Sequence, residues 1–247
     1  MKIKLCFLVT LLMPFSVNAI GIDSMMEFTH EDRASFTITN PAEYRQFIQV
    51  GISELKVKNG NIESIPYTRD NINDWSLSVQ PARTVIDSGS QKPFQVIYDP
   101  NSESNELVDK AYKLSFIPTP YFAKGEPVTH SVQVAVGFAP TVIVPAKEDM
   151  PISYSMRYGN DGLYLKNNGG TYLRAYLDAC PVSAKGKARE KCSTVVYILS
   201  GRNLPIELNK EMKKAKNLKV ELTTHNLKFK KSFDLMKGNI SSSHKGE

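Results

Sequence analysis

Val132-Gln133-Val134-Ala135-Val136-Gly137-Phe138 alternates large apolar residues with small or polar ones. Period-two alternation of β-branched and aromatic residues marks an extended strand with one apolar face. The same texture extends outward in both directions. Downstream, extended character resumes past Pro140 in Thr141-Val142-Ile143-Val144. Upstream, residues 111–117 form a strand that Pro118 and Pro120 are expected to close, and Phe94-Gln95-Val96-Ile97-Tyr98 stops at Asp99-Pro100. Further back lie residues 75–80, ended by Pro81, then residues 45–55, and residues 34–39, which break at Asn40-Pro41. In 45–55, Phe47, Gln49 and Gly51 share one face, and Ile48, Val50 and Ile52 the other.

Pro145-Ala146-Lys147-Glu148-Asp149-Met150-Pro151 interrupts the pattern, with two prolines around charged residues, and reads as a linker. Beyond it the strands return at 152–158, 162–166, 171–177, 194–199, 218–222 and 227–233. Asn167-Asn168-Gly169-Gly170 is a turn signal, because Asn and Gly tolerate positive φ. Residues 210–216 fit either one or two helical turns or a charged loop. Many short strands at fairly regular spacing, with no strand–helix alternation, predict an all-β chain built of sandwiches.

The first residues assign the compartment. Lys2 and Lys4 precede an apolar run at 5–15, and Val17-Asn18-Ala19 offers small residues for cleavage. This is a secretory signal peptide over 1–19, too short in its apolar run to span a bilayer. A remaining chain of that length suits two sandwiches of ordinary size: 20–146 and 147–237, with a polar tail at 238–247 expected to be disordered. Cys180 and Cys192 remain after cleavage; in an oxidising compartment an even count points to one structural disulfide. A redox pair is the alternative, but there is no C-x-x-C.

No catalytic constellation emerges. There is no G-x-S-x-G or Walker loop, and His30, His130, His225 and His244 lack metal-ligand spacing. The expectation is a binding protein without catalytic residues, metal or cofactor. A pI of 9.0 without a basic run interleaved with aromatics does not indicate nucleic acid, and no stable membrane insertion is expected after cleavage.

The ordered series of strands resembles the periplasmic pilus chaperones of the PapD-like superfamily, nearest in look to the common-pilus (Ecp or Mat) type. Phe36-Thr37-Ile38-Thr39-Asn40-Pro41 looks like that family's strand B with its Asn turn. Pro81-Ala82-Arg83-Thr84-Val85-Ile86, then Gly89 and residues 94–98, looks like its central pattern, and Tyr112-Lys113-Leu114-Ser115-Phe116-Ile117-Pro118 looks like strand F1. Asn168-Gly169-Gly170-Thr171-Tyr172-Leu173, followed by Cys180 and Cys192, is similar to the second domain of the common-pilus type. The resemblance implies two immunoglobulin-like sandwiches at an angle with a cleft between them. It implies binding of pilus subunits by donor-strand complementation and delivery to an outer-membrane usher. Val132, Val134, Val136 and Phe138 would be the subunit-binding residues. Self-association is one way to hide such an edge. Ser24 and Pro140 stand where better-known members carry a basic anchor pair, so no anchor is carried over. The rival reading is a secreted two-sandwich adhesin or structural pilus component.

Overall fold

The computed structural model describes residues 20–100, 107–121 and 136–243. It is a two-domain β-sandwich protein. The first domain holds β1 (Gly21–Ile22), β2 (Met26–Phe28), β3 (Arg33–Thr39), β4 (Gln46–Lys58), β5 (Asn61–Pro66), a 3-10 turn (Arg69–Asp74), β6 (Leu77–Gln80), β7 (Arg83–Ile86), β8 (Gln91–Tyr98), β9 (Lys110–Pro120) and β10 (Thr141–Val144). One sheet runs β1-β3-β8-β6. The other runs β2-β10-β9-β4-β5, with β7 also on β4. Between the sheets the apolar faces meet: Phe116 lies edge-on to Phe36 and Phe94, and Ile48, Val96 and Leu114 are fully buried around them. Ile48, Val50 and Ile52 supply the inward face of β4.

The second domain holds β11 (Tyr154–Gly159), β12 (Gly162–Asn167), β13 (Leu173–Asp178), α1 (Lys187–Glu190), β14 (Ser193–Ile198), β15 (Asn203–Ile206), α2 (Lys210–Lys214), β16 (Asn217–Thr223), β17 (Lys230–Met236) and β18 (Ile240–Ser242). Its sheets are β15-β12-β11-β18 and β14-β13-β16-β17, closed over Met156, Leu165, Leu177 and Leu222. No strand or helix occupies residues 145–153, the stretch read as a linker.

Two expectations are corrected, and one open reading is resolved. β9 runs through Pro118 to Pro120 instead of stopping before them. The N–H groups of Leu114 and Phe116 point away from β4, toward residues 138–140. The two prolines continue that same alternation, so β9 loses no bond to β4. The tail from Gly238, expected to be disordered, carries β18, which pairs with β11 through Ser155, Met156 and Arg157; residues 244–247 lie outside the described residues. In the ambiguous segment 210–216, one short helix forms, N-capped by Asn209, whose side chain accepts from the Met212 N–H.

Each sandwich is locked by one buried asparagine. Asn40 donates to the carbonyls of Tyr44 and Ile86 and accepts from the Ala42 N–H. Asn167 repeats this scheme: it donates to the carbonyls of Thr171 and Ile198 and accepts from the Gly169 N–H. The 167–170 turn is present, but Asn167 serves it as a buried cross-link and not by positive φ. Replacing either residue by Ala strands two buried carbonyls and an N–H. Each change is expected to lower unfolding free energy by about 2–4 kcal/mol in chemical denaturation, while Asn160→Ala, at an exposed hairpin tip, leaves it nearly unchanged.

Candidate functional site

β9 lies between β4 and an outer neighbour that is built in two parts. β10 pairs with residues 110–113. Upstream of β10 the ladder continues: the Leu114 N–H donates to the Pro140 carbonyl at 2.9 Å, and Phe116 and Phe138 exchange both backbone bonds at 2.8 and 3.2 Å. Two residues further on, the same register sets Pro118 opposite Val136. Proline has no N–H, so the ladder loses a donor there.

This edge places the expected subunit-binding residues as follows. Phe138 is half-buried and packs on the first domain's core. Val136 is 43% exposed. Val132 and Val134 lie outside the described residues. The outer side of β10 is covered by β2, in parallel, over Thr141–Ile143 alone. Among the described residues, no strand pairs with the outer side of 136–140.

Gly137 has a role the alternating pattern did not reveal. A Cβ built there would overlap the Phe116 carbonyl oxygen and stand 3.2 Å from Pro118 Cδ. Only glycine lets the chain lie this close to β9.

A second group of residues joins the domains at the base of this edge. Phe28, on β2, sits among Tyr172, Tyr197 and His225 of the second domain, with ring centroids 5.3–5.7 Å apart. The Tyr172 hydroxyl shares a hydrogen bond with His225 Nδ1. Asp109, just before β9, accepts from the backbone N–H of Ala146 and of Tyr172, bridging both domains. Burial pushes the Asp109 carboxyl above its ordinary value, against those two hydrogen bonds. Asp149 accepts from the Thr224 hydroxyl and the N–H groups of Asn226 and Lys228. Burial alone would raise it, but these donors outweigh burial and hold it below the usual carboxylate range. Asp149, a charged residue of the linker, is 5% exposed and ties the linker to the second domain.

Cys180 and Cys192 are bonded, closing a loop between β13 and β14. Among the described residues no group of three or more His, Cys, Asp and Glu side chains could hold a metal ion. No helix among them is long and apolar enough to cross a membrane.

Comparison with known proteins bears on this arrangement. Residues 22–145 match the family model described as the CS5 fimbrial protein N-terminal domain. The Escherichia coli "25.9 kDa protein in CS5 3′ region" is 27% identical over 215 residues, covering 84% of this chain and 92% of that protein. The class 5 fimbriae chaperone CfaA superposes with a TM-score of 0.52 at 12% identity, over 89% of this chain and 99% of its own. A chain from the complex of Salmonella enterica SafA pilin with the SafB chaperone superposes at 0.54 and 11% identity, over 90% and 98%. The fold is therefore that of fimbrial chaperones.

The Asp149 linkage yields a pH-dependent expectation. Its folded value lies below the unfolded one, near 3.9, so its contribution is complete above that pH and is lost as pH falls through the folded value. Asp149→Asn is expected to lower stability by about 1–3 kcal/mol at neutral pH, with the gap to wild type narrowing below about pH 4. Denaturation curves from pH 7 to pH 3 check this; a constant gap would contradict it.

Proposed function

Because the chain belongs to the CS5 fimbrial protein N-terminal domain family, we propose that it is a periplasmic chaperone that holds pilus subunits by lending them an edge strand. The observation that carries this reading is the two-part edge of β9. The Phe116–Phe138 pair fixes the incoming strand, while Val136, two residues away on the same face, stays exposed and the outer side of 136–140 is unpaired among the described residues. An edge of this kind is a template for another chain's strand.

In this mechanism residues 132–138 add to the sheet of an incomplete subunit. Val132, Val134 and Val136 fill its groove, and Phe138 anchors the strand to the chaperone's own core. Burying one such valine stabilises by about 1.5–3 kcal/mol, so the row can hold a subunit that cannot complete its own core. Pro118 leaves the strand's inner ladder short of a donor, which keeps its hold on its own sheet weaker than a full pairing. Gly137 seats it. Asp109, Asp149 and the Phe28 cluster hold the second sandwich against the same edge. No step needs a nucleotide, metal or cofactor. The signal peptide at 1–19, the domain boundary at 146/147, release at an outer-membrane usher and the common-pilus likeness of the second domain belong to this proposal.

One observation favours a second reading. The matching family is described as a fimbrial protein, which suits a structural pilus component. Such a component would be recovered from sheared surface fibres.

Co-purification from the periplasm, with the pilin genes of the same cluster expressed, decides between them. The wild type is expected to bring down one subunit in equal amount. Val134→Asp/Val136→Asp should lose it, since two buried valines are worth about 3–6 kcal/mol, and Gly137→Ala should weaken it. The double variant should keep near-wild-type melting, whereas Gly137→Ala, whose added Cβ meets the Phe116 carbonyl, should also melt lower. A folded wild-type protein with no subunit, or one found in fibres, would overturn the chaperone reading.

A further inference from the structure

The two halves of the chain carry opposite charge. Residues 20–146 hold 10 Lys and Arg against 15 Asp and Glu, whereas residues 147–247 hold 19 against 10. The register of β13 locates the excess. Its first residue, Leu173, follows Tyr172 at the junction with the first domain. Its last, Asp178, lies between Ser193 and Lys219 and leads into the Cys180–Cys192 loop. Lys216 accepts from the Lys237 N–H, and Tyr158 donates from its hydroxyl to the Ala215 carbonyl. The disulfide loop, α2 and the exit of β17 thus gather at the end of the sandwich opposite the junction.

That pole is lysine-rich. Lys185, Lys187 and Lys191 line the loop, residues 210–216 add four more, and Lys219 and Lys237 complete a set of nine, all exposed. One arginine, Arg189, accompanies them and is paired with Asp178; Lys214 is paired with Glu211. Glu190, Glu207 and Asp234 offset only part of the rest. Val182 stands 96% exposed on the disulfide loop, and Met236 is 58% exposed at the end of β17.

We infer that this pole docks the protein on an anionic phospholipid surface. The residue types select the partner. Protein interfaces are enriched in arginine and depleted in lysine. Flexible, strongly hydrated ammonium groups suit the diffuse charge of lipid headgroups. An apolar residue projecting from a basic surround is the arrangement that reaches just below the headgroups. The disulfide holds that loop in place at the tip. The acidic first domain is repelled by the same surface, so the molecule stands with its basic pole down and the β9 edge away from the lipid. Binding is peripheral and fades as salt screens it.

Sedimentation of the purified chain with lipid vesicles tests this. Binding is expected to vesicles containing phosphatidylglycerol at low salt, and to be lost in pure phosphatidylcholine and at about 0.5 M salt. Lys185→Gln/Lys187→Gln/Lys191→Gln and Lys213→Gln/Lys214→Gln/Lys216→Gln should each weaken it roughly tenfold or more. Val182→Asp should weaken it as well. Lys230→Gln/Lys231→Gln, at the junction end of the same sheet, should change it little. No binding to the anionic vesicles, equal binding to both lipids, or equal loss in the Lys230/Lys231 variant would overturn the proposal. So would pole variants that keep vesicle binding but lose binding to an acidic protein.

Discussion

The paired backbone bonds between Phe116 and Phe138 fix the register of the chain that returns beside β9, and the candidate site depends on that register. It sends the Phe138 side chain toward the core shared with Phe36 and Phe94. It sets Val136 opposite Pro118, where the ladder has no donor. It brings Gly137 so close to the Phe116 carbonyl that no side chain fits. A strand held firmly at one end and loosely beyond it can satisfy its own sheet and still offer its face to another.

The edge is positioned from below by the domain junction. Asp109 precedes β9 directly, and its two oxygens accept backbone N–H groups from the end of the first domain and the start of the second. Phe28 belongs to the strand that covers the far side of β10, yet its ring packs among second-domain side chains. The elements that frame the edge are therefore the ones that grip the second sandwich. The burial of Asp109 opposes its ionisation, while Asp149 nearby is stabilised as the anion by three donors. A junction of this kind is held by polar groups that are satisfied only in the assembled arrangement.

Strands with a clean two-residue period were legible in the sequence: β3, β4, β8, β9 and most of the second domain's central strands, while β10 was legible as a short β-branched apolar run. β5, β15 and β18 were not. β5 is nearly all exposed, β15 contains Pro205, and β18 is Ile-Ser-Ser, so none shows a buried face to alternate against. Such edge strands are set by their neighbours. Asn40 and Asn167 read as turn residues, but the carbonyls they bind on Ile86 and Ile198 lie 46 and 31 residues away. The junction was opaque for the same reason: Asp109 reaches Tyr172 across 63 residues and Asp149 reaches Thr224 across 75. The only local hint was an aspartate in a proline-bounded linker. Gly137 could be seen as a small residue on the polar side of a strand, though not as one pressed against a carbonyl.

The central claim is that residues 132–138 act as a strand inside a subunit's sheet, with alternate residues facing its groove. A photo-crosslinking amino acid placed singly at each of these positions, with the pilin genes co-expressed, tests it most directly. The account predicts a period-two profile: strong crosslinks to the subunit from 132, 134 and 136, and weak ones from 133, 135 and 137. A flat profile, or crosslinks to the subunit only from another face of the protein, would contradict it.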